Sequence, residues 1–165
     1  APSMTAEGVE TLWRASRDRA VRGAALASNV GAIRDRDALA QAADRLVSMD
    51  GIRIAVVYGF KDGTVYVSGR TRGTDVDLGE TLRDALDSIG SAGGHADMAG
   101  AQVPLGILGD TDDDSEAALT EVVTEVIAGR LFETLEDATT LLEPGDGSEF
   151  AFEFPFEGWG RTADR

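Results

Sequence analysis

The only histidine of this 165-residue chain, His95, directly follows two glycines, Gly93 and Gly94. Adjacent glycines let the backbone adopt positive φ angles or approach another molecule closely, because neither carries a Cβ. An imidazole can hydrogen-bond a phosphate in either protonation state, and a helical turn starting near His95 would add free N–H donors for an anion. The local pattern by itself leaves two interpretations open, and one of them is a phosphate-binding loop. The alternative is a plain loop in which His95 only packs or caps.

The segments around the glycine pair predict the elements that position it. Apolar residues at helical spacing indicate a helix over residues 78–89, and an apolar run indicates a strand over residues 101–108. Upstream, residues 52–59 are β-branched and apolar, an Asp-Gly turn follows, and residues 64–68 alternate between apolar and polar types. This pattern is typical of a β-hairpin. The glycine loop is thus expected between a helix and a strand, beside a hairpin.

Two further helices are expected before the hairpin. Thr5 is a candidate N-cap for the first, which ends near Arg22, and Asp35 or Asp37 is one for the second. Residues 23–33 are small and mixed, which fits a short strand or a connector.

The last third of the chain is acidic. Residues 110–114 partly fit a calcium-binding EF-hand loop, but Ser115 stands where that loop needs glycine, so we interpret them as the entry to a helix. The tail from Ser148 alternates phenylalanine with other residues (Phe150, Phe152, Phe154, Phe156). Because Pro155 restricts a strand to a sheet edge, this tail is expected to pack on its own domain or to add to another subunit or domain.

Composition limits the class of protein. A chain of 165 residues fits one domain, or one domain with an appendage. The lack of cysteine excludes disulfides and thiolate metal sites and favours the cytoplasm, and no apolar run is long enough to span a membrane. Thirty acidic residues face fifteen basic ones, Lys61 is the only lysine, and the formal net charge is −15. This balance predicts a protein from a salt-loving organism.

Several motifs follow one another in a specific order. A strand and an Asp-Gly turn precede the strand ending Val67-Ser68-Gly69-Arg70-Thr71; then come Asp75-Val76-Asp77, a helix, Gly93-Gly94-His95 and Ala99-Gly100-Ala101. This order resembles the C-terminal, DHH-associated domain of the DHH (Asp-His-His) phosphoesterase superfamily, which includes RecJ-type exonucleases and oligoribonuclease/phosphatase enzymes. The resemblance covers residues 50–109 well and the flanks loosely. Ala92 stands where the family pattern has the first glycine of Gly-Gly-Gly-His.

The resemblance implies a substrate-binding site. The Gly93-Gly94-His95 loop would line the substrate cleft, with His95 contacting phosphate or the nucleotide. Arg70, at the end of the hairpin, would face the same cleft, and its guanidinium is geometrically suited to phosphate oxygens. Ser68 and Thr71 would assist or brace it.

The metal-binding half of the family is not expected in this chain. Its acid and histidine motifs need several histidines, and His95 is the only one here. The resemblance implies a substrate-binding portion without catalytic residues or cofactor, and a separate catalytic DHH domain that holds manganese or magnesium. The partners it implies are single-stranded nucleic acid, an oligonucleotide or another phosphoester such as polyphosphate, the chain's own DHH domain, and a second copy in a homodimer. No membrane partner is expected.

The predicted fold is α/β, with a mixed β-sheet, flanking helices and an acidic C-terminal helix and tail. Residues 1–49 are expected to form a helical segment or linker from the catalytic domain. Residues 50–109 would form the DHH-associated substrate-binding domain, and residues 110–165 the acidic helix and phenylalanine-rich tail.

Two other functions fit the same residues. In a complete enzyme, His95 would act as general acid or base, assisted by Asp97 or Asp75. In a non-catalytic tRNA-binding or oligomerisation module, the chain would resemble the C-terminus of alanyl-tRNA synthetases, whose corresponding loop usually lacks this histidine.

Overall fold

Helices alternate with pairs of strands in the part of the chain that the structure, a computed structural model, describes: residues 3–109 and 113–138. The strands are β1 Ala20–Arg22, β2 Ala25–Ala32, β3 Ile54–Lys61, β4 Thr64–Thr71, β5 Ser91–Gly94 and β6 Met98–Pro104. The helices are α1 Ala6–Arg17, α2 Asp37–Leu46, α3 Leu78–Leu86 and α4 Asp113–Ala138, and a 3₁₀ turn spans Gly106–Gly109. None of the helices in these ranges is long and apolar enough to cross a membrane.

The strands form one mixed sheet in the order β1-β2-β3-β4-β6-β5. β2 pairs with β3 in parallel, and the other neighbours pair antiparallel. This arrangement confirms the predicted α/β fold with a mixed sheet. Residues 23–33, expected as a short strand or connector, contain the whole of β2, so the sheet includes strands from the predicted N-terminal segment.

The hairpin predicted around the Asp-Gly turn is present as β3 and β4. Asp62 and Gly63 both have positive φ, 53° and 76°, which is the backbone twist that a two-residue hairpin turn requires. The register runs without a break from Lys61 opposite Thr64 to Ile54 opposite Thr71. Residues of β4 therefore alternate strictly between the two faces of the sheet.

Each face of the sheet has its own apolar core. On one face, Val65 and Val67 of β4 pack in a cluster with residues of α3 and α4. On the other face, α1 and α2 cover β2 and β3. Since α2 reaches only as far as β4, the glycine-rich strands β6 and β5 carry α3 on one side and stay open on the side of α2.

A buried polar cluster attaches α4 to the sheet. Asn29 donates from Nδ2 to the Oγ1 atom of Thr124 at 2.8 Å, and the hydroxyl of Tyr58 donates to the carbonyl oxygen of Thr124 at 3.4 Å. Burial raises the pKa of the fully buried Tyr58, an effect that the hydrogen bond to Thr124 partly opposes. The tyrosine is therefore neutral in the folded protein at all ordinary pH values.

The segment around His95 differs from its prediction. Residues 91–94, expected as a loop, form the edge strand β5, which pairs with β6. The strand expected over residues 101–108 begins earlier, at Met98, and ends at Pro104. Gly106, with a φ of 59°, turns the chain out of the sheet and into the 3₁₀ turn. The acidic residues 110–112 and the phenylalanine-rich tail lie outside the described residues.

Candidate functional site: a groove floored by glycines

Three residues that face the α2 side of the sheet lie in one row across neighbouring strands. Ser68 of β4 is opposite Gly100 of β6, and Gly100 is opposite Gly93 of β5. All three line an open cavity of about 650 Å³ beside the start of α2. We refer to this cavity as the groove. Ser68 is the one residue of the row with a side chain, so the groove is deep along this row.

The two glycines of the row are there for different reasons. A Cβ on Gly100 would lie 2.8 Å from the carbonyl oxygen of Val67, so a side chain there would force the strands apart. A Cβ on Gly93 would meet nothing closer than the Nη1 atom of Arg83, at 3.9 Å. Glycine at position 93 therefore keeps the groove empty, and the backbone does not require it.

The wall of the groove is charged. The segment that leads into α2 contributes Arg34, Asp35, Arg36 and Asp37, and Lys61 approaches from the end of β3. The N–H of Asp37 donates to Oδ1 of Asp35 at 2.9 Å, which fixes the turn before the helix. Three cationic side chains thus gather around one cavity in a chain whose formal net charge is −15.

His95 lies in a three-residue connection between β5 and β6, and no helical turn begins there. Its N–H donates to the carbonyl oxygen of Met98 at 2.8 Å, which closes the hairpin. The first N–H groups of α3 face this connection: Leu78 donates to the oxygen of Ala96 at 2.9 Å and Gly79 to that of His95 at 3.0 Å. The free donors of a helix N-terminus therefore hold the loop and are not available to an anion at this point.

Thr71, at the end of β4, supports the same loop from the other side. Its Oγ1 donates to the carbonyl oxygen of Ala96 at 3.1 Å, and its N–H donates to that of Asp97 at 3.0 Å. Hydrogen bonds from β4 and α3 thus fix the backbone of the loop while the side chain of His95 stays exposed. This arrangement presents the imidazole to solvent on a rigid support.

Gly94 is required by the tight hairpin. Its φ is 138°, and a Cβ there would lie 2.6 Å from both the Cα atom of Ala99 and the carbonyl oxygen of Met98. Ala92, where the family pattern has glycine, sits in regular strand and packs against the core on the α3 side. The departure from the glycine triplet therefore leaves the loop geometry unstrained.

Arg70 lies two residues beyond Ser68 on the same face, at one end of the groove. Its Nε donates to Oδ1 of Asp44 at 2.7 Å and its Nη1 donates to the carbonyl oxygen of Gly69 at 2.8 Å. The side chain is only 14% exposed. Arg70 is opposite Met98, whose carbonyl oxygen accepts from the N–H of His95, so Arg70 and His95 lie on either side of the same residue of β6.

The six site residues predicted from the sequence are therefore neighbours in the fold. Ser68 and Gly93 line the groove itself. Arg70, Thr71, Gly94 and His95 surround the end of the groove at the hairpin connection, without lining the cavity. Whether they bind a ligand stays a prediction.

Sequence reasoning missed the other end of the groove. There the lining includes Arg36, Tyr66, Ser91 and Gln102. Tyr66 belonged to a predicted strand, and the Arg-Asp-Arg-Asp run before α2 was interpreted only as a helix cap. Two arginines directly before a helix start are the signal that could have been followed, because a helix N-terminus next to a sheet edge is a common place for anion binding.

The groove does not fit a divalent metal centre. Within residues 3–109 and 113–138, no group of three or more histidine or carboxylate side chains could hold a metal ion. The prediction that a separate domain holds the metal is not tested by this observation.

Comparison with known proteins gives one curated relative. The sequence is 36% identical to an uncharacterized protein of Methanocaldococcus jannaschii over 135 residues, which are 81% of this chain and 27% of that protein. The chain thus spans little more than a quarter of the length of the curated relative that it matches.

Several solved structures have a similar fold. RecJ from Thermus thermophilus, in complex with Mg²⁺, matches 83% of this chain and 18% of its own, with a TM-score of 0.52 and 15% identity. An exopolyphosphatase-related protein from Bacteroides fragilis matches 80% and 37%, with a TM-score of 0.51 and 8% identity. The C-Ala domain of Aquifex aeolicus alanyl-tRNA synthetase matches 64% and 97%, with 16% identity and a TM-score of 0.45. At these identities the likeness shows the fold alone.

The family model gives the assignment. Residues 22–129 match the DHHA1 domain, from the end of β1 into α4, which is well over half of the chain. This match confirms the family expected from the glycine-histidine and serine-arginine motifs. The chain therefore belongs to the DHHA1 family, the DHH-associated domain of the DHH superfamily.

Proposed function

We propose that this chain is the substrate-binding portion of a metal-dependent DHH-family phosphoesterase, and that the groove and its Arg70–His95 end bind a phosphoester. The observation that carries the proposal is the row formed by Ser68, Gly100 and Gly93, with Arg70 two residues beyond Ser68 and His95 bonded through its N–H to Met98, the residue opposite Arg70. The glycines leave space directly beside Ser68, and Arg70 and His95 lie at the end of the groove next to that space.

The hydrogen-bonding capacity of these groups suits a phosphate. The Ser68 hydroxyl has no hydrogen-bond partner among the described residues, and two of the three guanidinium nitrogens of Arg70 are already bonded, which leaves Nη2. A hydroxyl, a guanidinium and an imidazole can all donate to phosphate oxygens, and charge-assisted bonds of this kind are about twice as strong as neutral ones. The groove wall carries three cations and two carboxylates, so its excess of positive charge adds to the attraction.

Hydrolysis is assigned to a separate DHH domain of a longer protein. The described residues offer no metal-ligand cluster, and the curated relative is much longer than this chain. In that domain, manganese or magnesium would activate water for attack on phosphorus. The partners we propose are that domain, a second copy of the chain, and a single-stranded nucleic acid, short oligonucleotide or other phosphoester; the class includes exonucleases and exopolyphosphatase-related enzymes. We propose the cytoplasm as its location.

Binding of a 5′-phosphorylated single-stranded tetranucleotide, followed by fluorescence anisotropy, tests the proposal. We expect His95→Ala and Arg70→Ala each to weaken binding about tenfold, since one charge-assisted hydrogen bond is worth about 1.5–3 kcal/mol. Arg130→Ala is the matched control, because Arg130 lies on α4, on the opposite face of the sheet, and bonds Ser88. Unchanged affinity in both site variants would remove the proposed site.

Two further measurements separate the rival functions. A phosphodiesterase assay of the chain with Mn²⁺ should show no turnover, and robust turnover would overturn the assignment of catalysis to another domain. Folded tRNA should bind more weakly than the tetranucleotide at equal salt concentration, which must be fixed because phosphate contacts depend steeply on salt. Tighter binding of tRNA that is insensitive to His95→Ala would favour a tRNA-binding module.

A further inference from the structure

The end of the groove farthest from Arg70 contains a stacked pair of side chains. The guanidinium carbon of Arg36 lies 4.3 Å from the centroid of the Tyr66 ring. Tyr66 is half-buried on the sheet, whereas Arg36 is exposed on the wall. One face of the guanidinium thus rests on the ring, and the other is free to meet a ligand in the groove.

Arg36 has no other structural task that the described residues reveal. It occupies the N-cap position of α2 but makes no side-chain capping bond. Its side chain forms no ion pair or hydrogen bond within residues 3–109 and 113–138. Its donors are therefore available to a ligand, and among these residues Tyr66 is the one that holds its plane.

Polar side chains stand beside the stacked pair. Gln102 of β6 is directly opposite Tyr66, and Ser91 of β5 is directly opposite Gln102. Both line the groove, and Gln102 is exposed. An amide with both donor and acceptor atoms can bond the edge of a nucleobase in two places at once.

The two ends of the groove are too far apart for a single phosphate. Tyr66 and Arg70 are four residues apart on β4, which is about 13 Å at about 3.3 Å per residue. A ligand that contacts both rows must therefore extend well beyond one phosphate group. At the Arg36 end it also meets the carboxylates of Asp35 and Asp37, which disfavour a further phosphate but can accept hydrogen bonds from amino groups.

We infer that Arg36, Tyr66, Gln102 and Ser91 form a nucleobase subsite, so that the ligand of the groove is a nucleotide chain and not inorganic polyphosphate. The inference rests on the proposed function, since it takes the phosphate to lie at the Arg70 end. A base stacks on the outer face of the Arg36 guanidinium, which Tyr66 holds flat, and Gln102 bonds its edge. Stacking on guanidinium planes and aromatic rings is the usual way in which proteins hold unpaired bases.

The experiment compares two ligands that differ only in the base: a 5′-phosphorylated trinucleotide and the same backbone with abasic sugars. Arg36→Lys keeps the charge but removes the planar group. We expect it to weaken binding of the trinucleotide about tenfold, which is what loss of one stacked base typically costs, and to change binding of the abasic backbone less than about twofold. Arg45→Lys is the matched control, with the same chemical change at an exposed position in the last turn of α2 that does not line the groove.

A second variant tests the same subsite independently, in case Arg36→Lys alters the fold. Gln102→Ala, on an exposed position of β6, should also weaken the trinucleotide selectively, and thermal unfolding of both variants checks their integrity. Equal losses for the two ligands, or no loss for either, would overturn the nucleobase subsite and leave the phosphoester site standing. Tripolyphosphate binding as tightly as the trinucleotide would also overturn it. If the wild-type chain binds neither backbone, the proposed function fails together with the subsite.

Discussion

The Nε atom of Arg70 donates to Oδ1 of Asp44 at 2.7 Å, which joins the end of β4 to α2 beside the groove. The arginine side chain is 14% exposed and the aspartate side chain 58% exposed, so the carboxylate is the more accessible partner of the pair. Asp44 therefore has two effects on any anion at this end of the groove. It holds the guanidinium in one orientation, and it competes for the same positive charge.

Asp44→Asn should strengthen phosphoester binding. An amide can still accept the hydrogen bond from Arg70, so the orientation is kept while the competing charge is lost. We expect the affinity for a 5′-phosphorylated tetranucleotide to rise about two- to fivefold at low salt, and the gain to shrink as salt screens the charges. The unfolding free energy should fall by no more than about 1 kcal/mol, the usual range for an exposed ion pair.

Asp84→Asn is the control for Asp44→Asn, because Asp84 is an exposed carboxylate on α3, across the sheet from the groove. It changes the net charge by the same amount. An equal gain in affinity in both variants would mean that only net charge matters. A loss of affinity in Asp44→Asn would mean that the ion pair is needed to orient Arg70.

Gly93→Val should lower ligand affinity and leave stability nearly unchanged, whereas Gly94→Ala should lower stability. Position 93 has regular backbone and space for a side chain, so Gly93→Val should leave stability within about 0.5 kcal/mol of the wild type. The new side chain fills the groove, and ligand affinity should fall more than about tenfold. Position 94 has a φ of 138° and no space for a Cβ, so Gly94→Ala should lower the unfolding free energy by more than about 2 kcal/mol.

Urea unfolding and a ligand titration of these two variants check both expectations. Gly100→Ala serves as a reference for a buried contact, since its Cβ would lie 2.8 Å from the carbonyl oxygen of Val67. A stable Gly93→Val protein that binds the tetranucleotide normally would show that the ligand does not enter the groove.

Thr71→Val tests whether the support of the hairpin loop matters for the site. Valine has the shape of threonine but cannot donate to the carbonyl oxygen of Ala96, which still accepts from Leu78. We expect a loss of about 0.5–1.5 kcal/mol in unfolding free energy and faster hydrogen exchange of the N–H of His95. Affinity should fall a fewfold because the imidazole loses its fixed position. Thr134→Val, which removes a similar bond on α4, should cost stability without changing affinity.

The elements of this fold were predictable where one physical signal dominated. The Asp62-Gly63 turn demands positive φ and so defined the β3–β4 hairpin, and Asp77 caps α3 by accepting from the N–H of Glu80 at 3.0 Å. The edge strand β5 was not predictable in the same way. Its sequence, Ser-Ala-Gly-Gly, has no β propensity of its own, and it is a strand because β6 and α3 bind it from two sides.

The candidate site was predictable in part for a related reason. Ser68, Arg70, Gly93 and His95 were found through a motif, and register pairing across β4, β6 and β5 makes them neighbours. Arg36 and Tyr66 carry no such motif. Their stacking depends on where α2 starts relative to β4, a relation between elements that are far apart in sequence and that local pattern does not encode.

Tyr58 makes the protein sensitive to alkali. Burial raises its pKa above the ordinary value of about 10, so above pH 10 the unfolded chain releases the phenolic proton while the folded protein retains it. Because the unfolded state then binds fewer protons, the unfolding free energy should fall as pH rises, by about 1.4 kcal/mol per pH unit above about pH 10.

Tyr58→Phe should be less stable at about pH 8 by about 1 kcal/mol, since it lacks the hydrogen bond to Thr124, but should lose less stability between about pH 9 and 11. Urea unfolding of both proteins across that range measures the two slopes. Identical slopes would mean that the ring is accessible to hydroxide in the native state, contrary to its complete burial.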